Sequence, residues 1–399
     1  MSIFGGSKEK GELVLVFNIG SSSVGGSLFY TKKMGVPNIV FSVVEPLPLE
    51  ENITSEKLFT LTTETLLLVS KKIFSSKIGA PSKIFCVLSS PWYLSQTRII
   101  TLNKNIPFVF TNKLADSLLE KEIKIFQEEN IKKYPGMGNA IRAIELKNVR
   151  TSLNGYETSE PINKRAKEVE MTVFISMCEE RVLKKIEDVV ASCFHFNHIK
   201  FSSLAVSLYA VVKDKYAKKD NFLLVDVGGE VTDISMIKRN TLKESISFPL
   251  GSNFLIRGVA LGLKCSLSEA RSMISLFRDG HAEKNIEKKV SSILAQLKKE
   301  WLQKFQESLA DLSHDISIPS TIFIATDKDF SEMFSQVIKT EQFTQYTLAE
   351  SKFDVLPLDT KLLHGIASFE DGIAREPFLI IDSVYVNNFL IYPAIPGKI

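Results

Sequence analysis

The chain has 399 residues, 44% of them hydrophobic and 24% charged, which is typical of a soluble globular protein with two or more domains. Its 49 Lys and Arg nearly balance its 46 Asp and Glu, so the net charge of +3 gives no indication of nucleic-acid binding. The four cysteines form no CxxC pair, so we expect reduced thiols and no zinc site. The polar N-terminus lacks signal-peptide order, and no apolar run reaches the ~18 residues of a membrane span, so we expect a cytoplasmic protein.

A strand–turn–strand pattern opens the chain. The apolar segment Leu13–Ile19 predicts a strand with Asn18 near its end, the small residues at 20–23 predict a turn, and 24–30 predicts a returning strand. The pattern then predicts a strand at 38–44, a helix at 55–75 and a strand at 83–89.

The segment 92–178 has the pattern of a small α+β unit. Its predicted elements are strand character at 97–102, an amphipathic helix at 112–134, and strands at 140–150 and 168–177. Between these two strands, the pair Asn154-Gly155 favours a turn, so we expect an exposed loop at 154–167. Helices are predicted after this unit, at 179–194 and 201–212.

The second half repeats the opening pattern. The apolar run 222–225 predicts a strand buried on both faces, Asp226 ends it, Gly228-Gly229 turns, and 231–237 returns with Thr232 near the tip. Glycines let backbone N–H groups approach an anion, and a carboxylate at a strand end can hold hydrated Mg²⁺ beside phosphate. An ordinary hairpin with a polar tip is the alternative interpretation. The repeat, half a chain apart, predicts two related halves that face one cleft.

The remaining segments alternate between strand and helix patterns. The longest periodic stretch, 281–313, predicts a helix that faces the core rather than a coiled coil, because the run is too short for sustained heptads. The other predicted elements are a strand at 241–250, helices at 252–263 and 267–277, a strand at 321–325, a helix at 330–339, an edge strand at 353–356, a helix at 361–368, and one or two strands at 378–391.

These patterns resemble the actin-like ATPase superfamily, and most closely its bacterial branch with the cell-division protein FtsA and the pilus-assembly protein PilM. NIGSSSV at 18–24 and VDVGGEVTDI at 225–234 are similar to the two phosphate loops, and 249–274 is similar to the stretch that follows the second loop. The resemblance implies an α/β, actin-like fold of two duplicated RNase H-like lobes, with a small α+β insertion domain in the first lobe. It divides the chain into a first lobe at 12–91 and 179–219, an inserted domain at 92–178, a second lobe at 220–250 and 321–399, and a helical subdomain of that lobe at 251–320.

The resemblance also implies ATP and Mg²⁺ between the lobes, with Asp226 as the metal ligand. The residues that it assigns to the nucleotide are Asn18, Gly20, Ser21, Ser22, Ser23, Asp226, Gly228, Gly229, Thr232 and Thr326.

Four departures from the family pattern fall in this one cleft. Asn18 replaces an Asp and removes a charge that Mg²⁺ binding uses, and Ser202-Ser203 replaces an acid and Pro, where the acid orients the attacking water. The segment 326–329 replaces a Gly-Gly turn, and Arg271 and Ile274 replace a Glu and a Lys that flank the ribose and adenine. We therefore expect a scaffold with at most weak ATPase activity and no assigned catalytic residue.

The family implies two scaffold roles. An FtsA-type protein associates with itself and with a division-ring protein at the inner face of the membrane, whereas a PilM-type protein binds the tail of an inner-membrane protein in a type IV pilus or secretion platform. Pro393 and Pro396 lie where an FtsA-type protein carries its amphipathic anchor helix, so we expect membrane association only through partners. An active ATPase of the superfamily is the third alternative, and no nucleic-acid partner is expected.

Overall fold

The structure is a computed structural model that describes residues 11–33, 35–133, 140–196, 198–313, 317–340 and 352–391. Its strands, numbered in chain order, are β1 (Leu13–Ile19), β2 (Ser23–Tyr30), β3 (Asn38–Pro46), β4 (Lys83–Leu88), β5 (Leu94–Val109), β6 (Ile141–Leu153), β7 (Tyr156–Glu157), β8 (Arg165–Glu179), β9 (Ile199–Ser203), β10 (Phe222–Val227), β11 (Thr232–Lys238), β12 (Thr241–Phe248), β13 (Thr321–Thr326), β14 (Asp354–Pro357) and β15 (Ser368–Phe369). Its helices are α1 (Ser55–Ser75), α2 (Asn112–Lys133), α3 (Glu180–Phe194), α4 (Leu204–Lys215), α5 (Ser252–Leu263), α6 (Leu267–Arg278), α7 (Lys284–Ser313), α8 (Lys328–Thr340) and α9 (Pro377–Ile391).

Two sheets with the same strand order form the centre of the molecule. The first has the order β15-β3-β2-β1-β4-β9, and the second has the order β12-β11-β10-β13-β14. In both sheets the first three strands of the repeat are joined antiparallel, and the last two run parallel to the first. Apart from the extra edge strand β15 of the first sheet, the five strands share their order and sense, which confirms the prediction of two related halves.

The cores of the two halves are continuous. Phe222 and Phe323 of the second sheet belong to the same buried cluster as Phe17 of the first. Tyr216, just after α4, packs on Phe323 with ring centroids 4.9 Å apart. Phe222 also packs on Phe323, with ring centroids 5.3 Å apart. The halves are therefore joined by apolar contacts as well as by the polar contacts described below.

The helical side of the second half is organised around α7. Its buried residues recur along one side of the helix, as expected for a helix that faces the core. Trp301 stacks on Phe305 at 5.2 Å and contacts Phe334 of α8 at 4.8 Å and Phe248 of β12 at 5.8 Å. One large side chain thus ties α7 and α8 to the sheet.

The inserted unit is an antiparallel sheet of order β5-β8-β6-β7 with α2 packed on one face. Asn154 and Gly155 both have positive φ, at 51° and 81°, and join β6 to β7 as a tight turn. The stretch predicted as an exposed loop at 154–167 therefore contains this turn, the short strand β7 and the first residues of β8.

The inserted unit contacts both halves of the molecule. Glu145 on β6 accepts hydrogen bonds from the hydroxyls of Ser202 and Ser203, each at 2.7 Å, and from Tyr385 at 3.1 Å. On the other side, Thr97 Oγ1 of β5 donates to the carbonyl oxygen of Leu242 on β12 at 3.1 Å. Its position is therefore fixed relative to both halves.

Three predicted elements are wrong. Residues 201–203 were expected to begin a helix, but they end β9, which pairs in parallel with β4 before α4 starts at Leu204. The helix expected at 361–368 is a series of turns, with Gly365 at φ 85°, that leads into β15. The strands expected at 378–391 are the helix α9.

The error at α9 has a physical cause. A continuous apolar run is compatible with a buried strand or with a helix buried on all sides, and periodicity does not separate the two. Most of α9 is buried, and it packs on α4 and on β1 and β2. The predictions for Tyr134 and for residues 392–399, including Pro393 and Pro396, lie outside the described residues. Within the described segments, no helix has both the length and the apolarity to cross a bilayer.

Candidate functional site

The two hairpin tips have the same backbone geometry. Gly20 N–H donates to the Ser23 carbonyl oxygen at 3.0 Å in the first turn, and Gly228 N–H donates to the Val231 carbonyl oxygen at 3.0 Å in the second. Each turn follows the first strand of its half, so the duplicated sheets bring the two turns together between the lobes. The structure thus places all of the turn residues expected around phosphate in one region.

The two turns touch each other directly. A Cβ atom at Gly229 would lie 2.6 Å from the Ser21 carbonyl oxygen and 2.7 Å from the Ser22 nitrogen, distances that real Cβ contacts do not reach. The side chain of Ser21 is buried in this contact, where its Oγ accepts the Glu230 N–H at 3.0 Å. Ser21 therefore occupies the space between the turns.

An ion pair within the second lobe connects the second turn to the first lobe through Arg257. Glu230 accepts two hydrogen bonds from the Arg257 guanidinium, at 2.7 and 2.8 Å, and a third from Asn253 Nδ2 at 2.8 Å. The third guanidinium nitrogen of Arg257, Nε, donates to the carbonyl oxygen of Glu50 at 2.8 Å. Such a bidentate, largely buried pair is geometrically specific, unlike an isolated surface pair. We call the contacts of Ser21, Gly229, Glu230, Arg257 and Glu50 the interlobe clasp.

Thr232 is committed to the core. Its hydroxyl donates to the Leu250 carbonyl oxygen at 2.6 Å and accepts the Trp301 indole N–H at 3.1 Å. The carbonyl oxygens of Gly228 and Gly229 accept from the backbone at the start of α5. The hydroxyl that the resemblance assigns to phosphate is therefore already paired.

The acids behind the turns are buried close to one another. The pKa of Asp226 is raised well above its usual value by burial, and further by the neighbouring carboxyls of Asp233, Asp327 and Asp382. Burial also raises the pKa of Asp233, against the opposing effect of hydrogen bonds from Ser247 and Ser90. A neutral carboxyl is a poor ligand for Mg²⁺, which prefers anionic oxygen. Among the described residues, no group of three His, Cys, Asp or Glu side chains is arranged to hold a metal ion.

Asn18 contacts an acid that the sequence analysis missed. Its Nδ2 donates to Asp382 Oδ2 at 2.8 Å, and Ser207 Oγ donates to the other oxygen of that carboxyl at 2.6 Å. Burial raises the pKa of Asp382 to about 7, in spite of these two hydrogen bonds. The sequence did contain a signal for this contact: Asp382 is an isolated acid within the apolar run 378–391, and a buried acid needs a hydrogen-bond partner.

A second missed acid lies beside the position where the family pattern has an acid and this chain does not. Ser202 and Ser203 stand where the resemblance expects an acid and a Pro, and both donate to Glu145 of the inserted unit. Tyr93 is buried nearby, and burial raises its pKa well above the usual value, with smaller effects from Asp233 and Asp226. Glu145 comes from a different sheet, so no local pattern around 202–203 could have indicated it.

In this arrangement the residues do not fit ATP and Mg²⁺. A triphosphate needs a gap between the turns and free N–H donors, but Ser21 fills the gap, and the N–H groups of Gly20, Gly228 and Glu230 have protein acceptors. The Glu230 carboxylate on the second turn would also repel phosphate. Thr326 Oγ1, at the end of β13, is buried without a hydrogen-bond partner among the described residues.

Comparisons with known proteins identify the fold. No protein-family model matches this chain, and no curated protein matches its sequence. Among solved structures, the chain is similar to one in the PilM–PilN type IV pilus biogenesis complex, with 12% identity and a TM-score of 0.60 over 94% of this chain and 97% of that chain. It also matches EutJ from Carboxydothermus hydrogenoformans, with 9% identity and a TM-score of 0.44 over 95% of this chain and 89% of that chain. A protein of actin-like ATPase fold from Bacteroides thetaiotaomicron matches with 9% identity and a TM-score of 0.38, over 97% of this chain and 99% of that chain. The match to the chain of the PilM–PilN complex, together with the two matching sheets, confirms the expectation of a two-lobed, actin-like fold.

A side chain at Gly229 should separate the two turns. We expect Gly229→Ala to lower the unfolding free energy by about 1–3 kcal/mol, because the new methyl group overlaps the Ser21 backbone. Urea denaturation measures this change. Gly20→Ala is the matched control, since its nearest new contact is 3.2 Å, and equal losses in the two variants would contradict the close approach.

The buried Asp382 predicts a pH dependence of stability. Because its folded pKa, about 7, exceeds the unfolded value of about 3.9, the folded state binds the extra proton between these values, and the stability due to this group is lost as pH rises from about 4 to 7. Urea denaturation across this range should show a smaller fall for Asp382→Asn than for the unmodified chain. Parallel pH profiles for the two proteins would show that Asp382 is ionised in the folded state.

Proposed function

We propose that the chain is an actin-like scaffold that holds protein partners and does not cycle ATP. The observation that carries this proposal is the contact of Gly229 with the Ser21 backbone. In an ATPase of this architecture the two turns must be far enough apart to enclose a triphosphate. Here the two turns contact each other directly, through Gly229, Ser21 and the Glu230 N–H.

The charges around the clasp support the same proposal. Glu230 places a carboxylate on the second turn, and Arg257 satisfies that carboxylate through two hydrogen bonds. A nucleotide would have to displace this pair and leave Glu230 buried without a cation, which costs several kcal/mol. The raised pKa of Asp226 disfavours the anionic form that Mg²⁺ would need as a ligand. Closure of the cleft is therefore favoured at the positions that an ATPase keeps available for phosphate and Mg²⁺.

We further propose a role like that of PilM, at the cytoplasmic face of a membrane in a type IV pilus or secretion platform. The support is the fold shared over nearly the whole of both chains, together with the presence of that neighbour in a complex with PilN. By analogy, the partner of this chain would be the cytoplasmic tail of an inner-membrane protein. Membrane association would then come through this partner.

The proposed binding region for the tail is the free side of the inserted domain at 92–178. Among the described strands, its edge strand β5 pairs only with β8, and the pairing is interrupted between Asn103 and Phe108, beyond the contact of Thr97 with β12. Ile106, within this interruption, is 78% exposed. An apolar edge strand that is open to solvent favours the addition of an extended segment.

ATP should have no effect on this protein. A ligand that binds at about 100 times its Kd stabilises a folded protein by about 2.7 kcal/mol and raises its thermal unfolding midpoint. Because we propose that ATP does not bind, we expect no shift of this midpoint with millimolar Mg-ATP. Phosphate release should equal that of a buffer control. Turnover that Asp226→Ala abolishes would contradict the proposal and establish an active ATPase.

A partner should be found among bitopic membrane proteins encoded beside this chain. We expect one of them to co-purify with the full chain after co-expression, and to lose the interaction when its cytoplasmic tail is removed. Ile106→Asp should weaken the complex, because it places a charge on the apolar edge of β5. Leu261→Asp is the matched control, since Leu261 is 82% exposed on α5, away from the inserted domain.

Two results would count against this role. Co-purification that does not depend on the tail would exclude the proposed mode of binding. Pelleting of the chain with bare liposomes, or into filaments without a partner, would favour the FtsA-type role in cell division.

A further inference from the structure

The connection from the first lobe to the inserted unit is buried. Residues 89–93 follow β4 and lead directly into β5. The residues Ser90, Trp92 and Tyr93 are at most 8% exposed, although connections between elements normally run over the surface of a protein. The chain therefore enters the inserted unit through the interior of the molecule.

This connection contacts both lobes close to the two turns. The Trp92 indole N–H donates to the Gly20 carbonyl oxygen of the first turn at 3.4 Å. Ser90 Oγ donates to Asp233 Oδ1 at 2.9 Å, and Asp233 lies near the start of β11, just after the second turn. A movement of residues 89–93 would therefore disturb the surroundings of both turns.

The other attachments of the inserted unit lie at the same end of its sheet. The strand β5 begins opposite Met177 of β8, and Glu145 of β6 lies one register position further along β8. Glu145 holds this end to the first lobe, and Thr97 holds it to Leu242 of the second lobe. From Thr97 the strand continues to Asn103, which is roughly 20 Å further at ~3.3 Å per residue. A partner that binds at the far end can therefore rotate the sheet about its attached end.

The attachments to the two lobes differ in strength. Glu145 accepts hydrogen bonds from three hydroxyl groups, those of Ser202, Ser203 and Tyr385. Thr97 makes a single hydrogen bond to the second lobe, and the loss of one such bond shifts an equilibrium by about two- to tenfold. When the inserted unit is displaced, we therefore expect its contacts with the second lobe to break before those with the first.

We propose that the inserted unit controls the interlobe clasp, with Ser90, Trp92 and Thr97 as the residues that transmit its position to the two turns. While Thr97 is bound to β12, residues 89–93 hold the surroundings of the two turns together. Displacement of the inserted unit from β12 withdraws these contacts, and the clasp alone then joins the turns. Opening of the cleft thus responds to a partner of the inserted unit, and not to a ligand between the lobes. The identity of that partner rests on the proposed function, whereas the coupling can be measured in the chain alone.

Hydrogen exchange of the full chain measures this coupling. We expect Ser90→Ala and Thr97→Val each to speed the exchange of the amides at 228–231 by about two- to tenfold, the effect of one lost hydrogen bond. Ser95→Ala and Thr101→Val are the matched controls, because both residues lie on β5 and neither makes a side-chain hydrogen bond among the described residues. Neither control should change the exchange at 228–231.

Thr97→Val is the decisive variant. The acceptor of Thr97 on β12 lies at the opposite end of that strand from the second turn. A change at 228–231 then reflects the position of the inserted unit and not the loss of a neighbouring bond. The amides at 322–325, in the buried strand β13, are the internal reference and should exchange at the same rate in every variant.

A further variant separates the attachment of the inserted unit from its stability. Arg98 forms ion pairs with Glu122 and Glu129 of α2, both inside the unit. We expect Arg98→Ala to speed exchange at 112–133 and to leave exchange at 228–231 unchanged. The clasp would then respond to where the unit is held, and not to how firmly it is folded.

Several results would overturn the proposal. One is unchanged exchange at 228–231 in Thr97→Val, and another is an equal rise at 322–325, which would indicate a general loss of stability. An equal effect of Arg98→Ala or Thr101→Val at 228–231 would overturn it as well. With a co-purified membrane-protein partner bound, exchange at 228–231 should differ from that of the free chain, and equal rates would refute control by the partner. A failure to find any partner contradicts the proposed function alone, because the variants test the coupling without one.

Discussion

The direct contact of two turns from opposite lobes is the constraint on which the rest of the site depends. It requires a residue without a side chain at 229, because a Cβ there would overlap the backbone of Ser21. Once the turns touch, the Glu230 N–H reaches Ser21 Oγ, and the Glu230 carboxylate lies within reach of Arg257. The position of Arg257 then allows its Nε to bond the Glu50 carbonyl oxygen in the first lobe. Together these contacts join the second turn and Arg257 to the first lobe at Ser21 and Glu50.

Burial turns the polar residues behind the clasp into structural groups. Asp226, Asp233 and Asp382 have raised pKa values because water is excluded around them, and serine hydroxyls supply hydrogen bonds to the last two. Hydrogen-bonded acids in such a site link neighbouring elements, and a raised pKa disfavours the negative charge that a metal ion would need. The same type of residue that serves phosphate chemistry in an open cleft thus serves packing in a closed one.

The fixed position of the inserted unit agrees with a scaffold. Glu145 ties it to the first lobe through Ser202 and Ser203, and Thr97 ties it to β12 of the second. The clasp and this unit bridge the two lobes at separate places. Two separate sets of contacts between the lobes disfavour their opening, which suits the holding of partners better than a cycle of opening and closing.

The sequence by itself determined the duplicated architecture and the identity of the two turns. Short-range signals carry this information: strand-length apolar runs, glycines at the turns, and the period of α1 and α7 are all set by neighbouring residues. The departures Asn18 and Ser202-Ser203 are likewise visible in the sequence and already indicate an altered cleft.

Only the tertiary structure decided which groups close that cleft. The distance between Ser21 and Gly229, the arrival of Glu145 from the inserted sheet, and the helical state of the segment with Asp382 all depend on residues far apart in the chain. An apolar segment such as 378–391 folds as a helix or a strand according to what packs around it, and a buried carboxyl takes its pKa from neighbours that only the fold supplies. Local pattern therefore specifies the elements, whereas long-range packing specifies their chemistry.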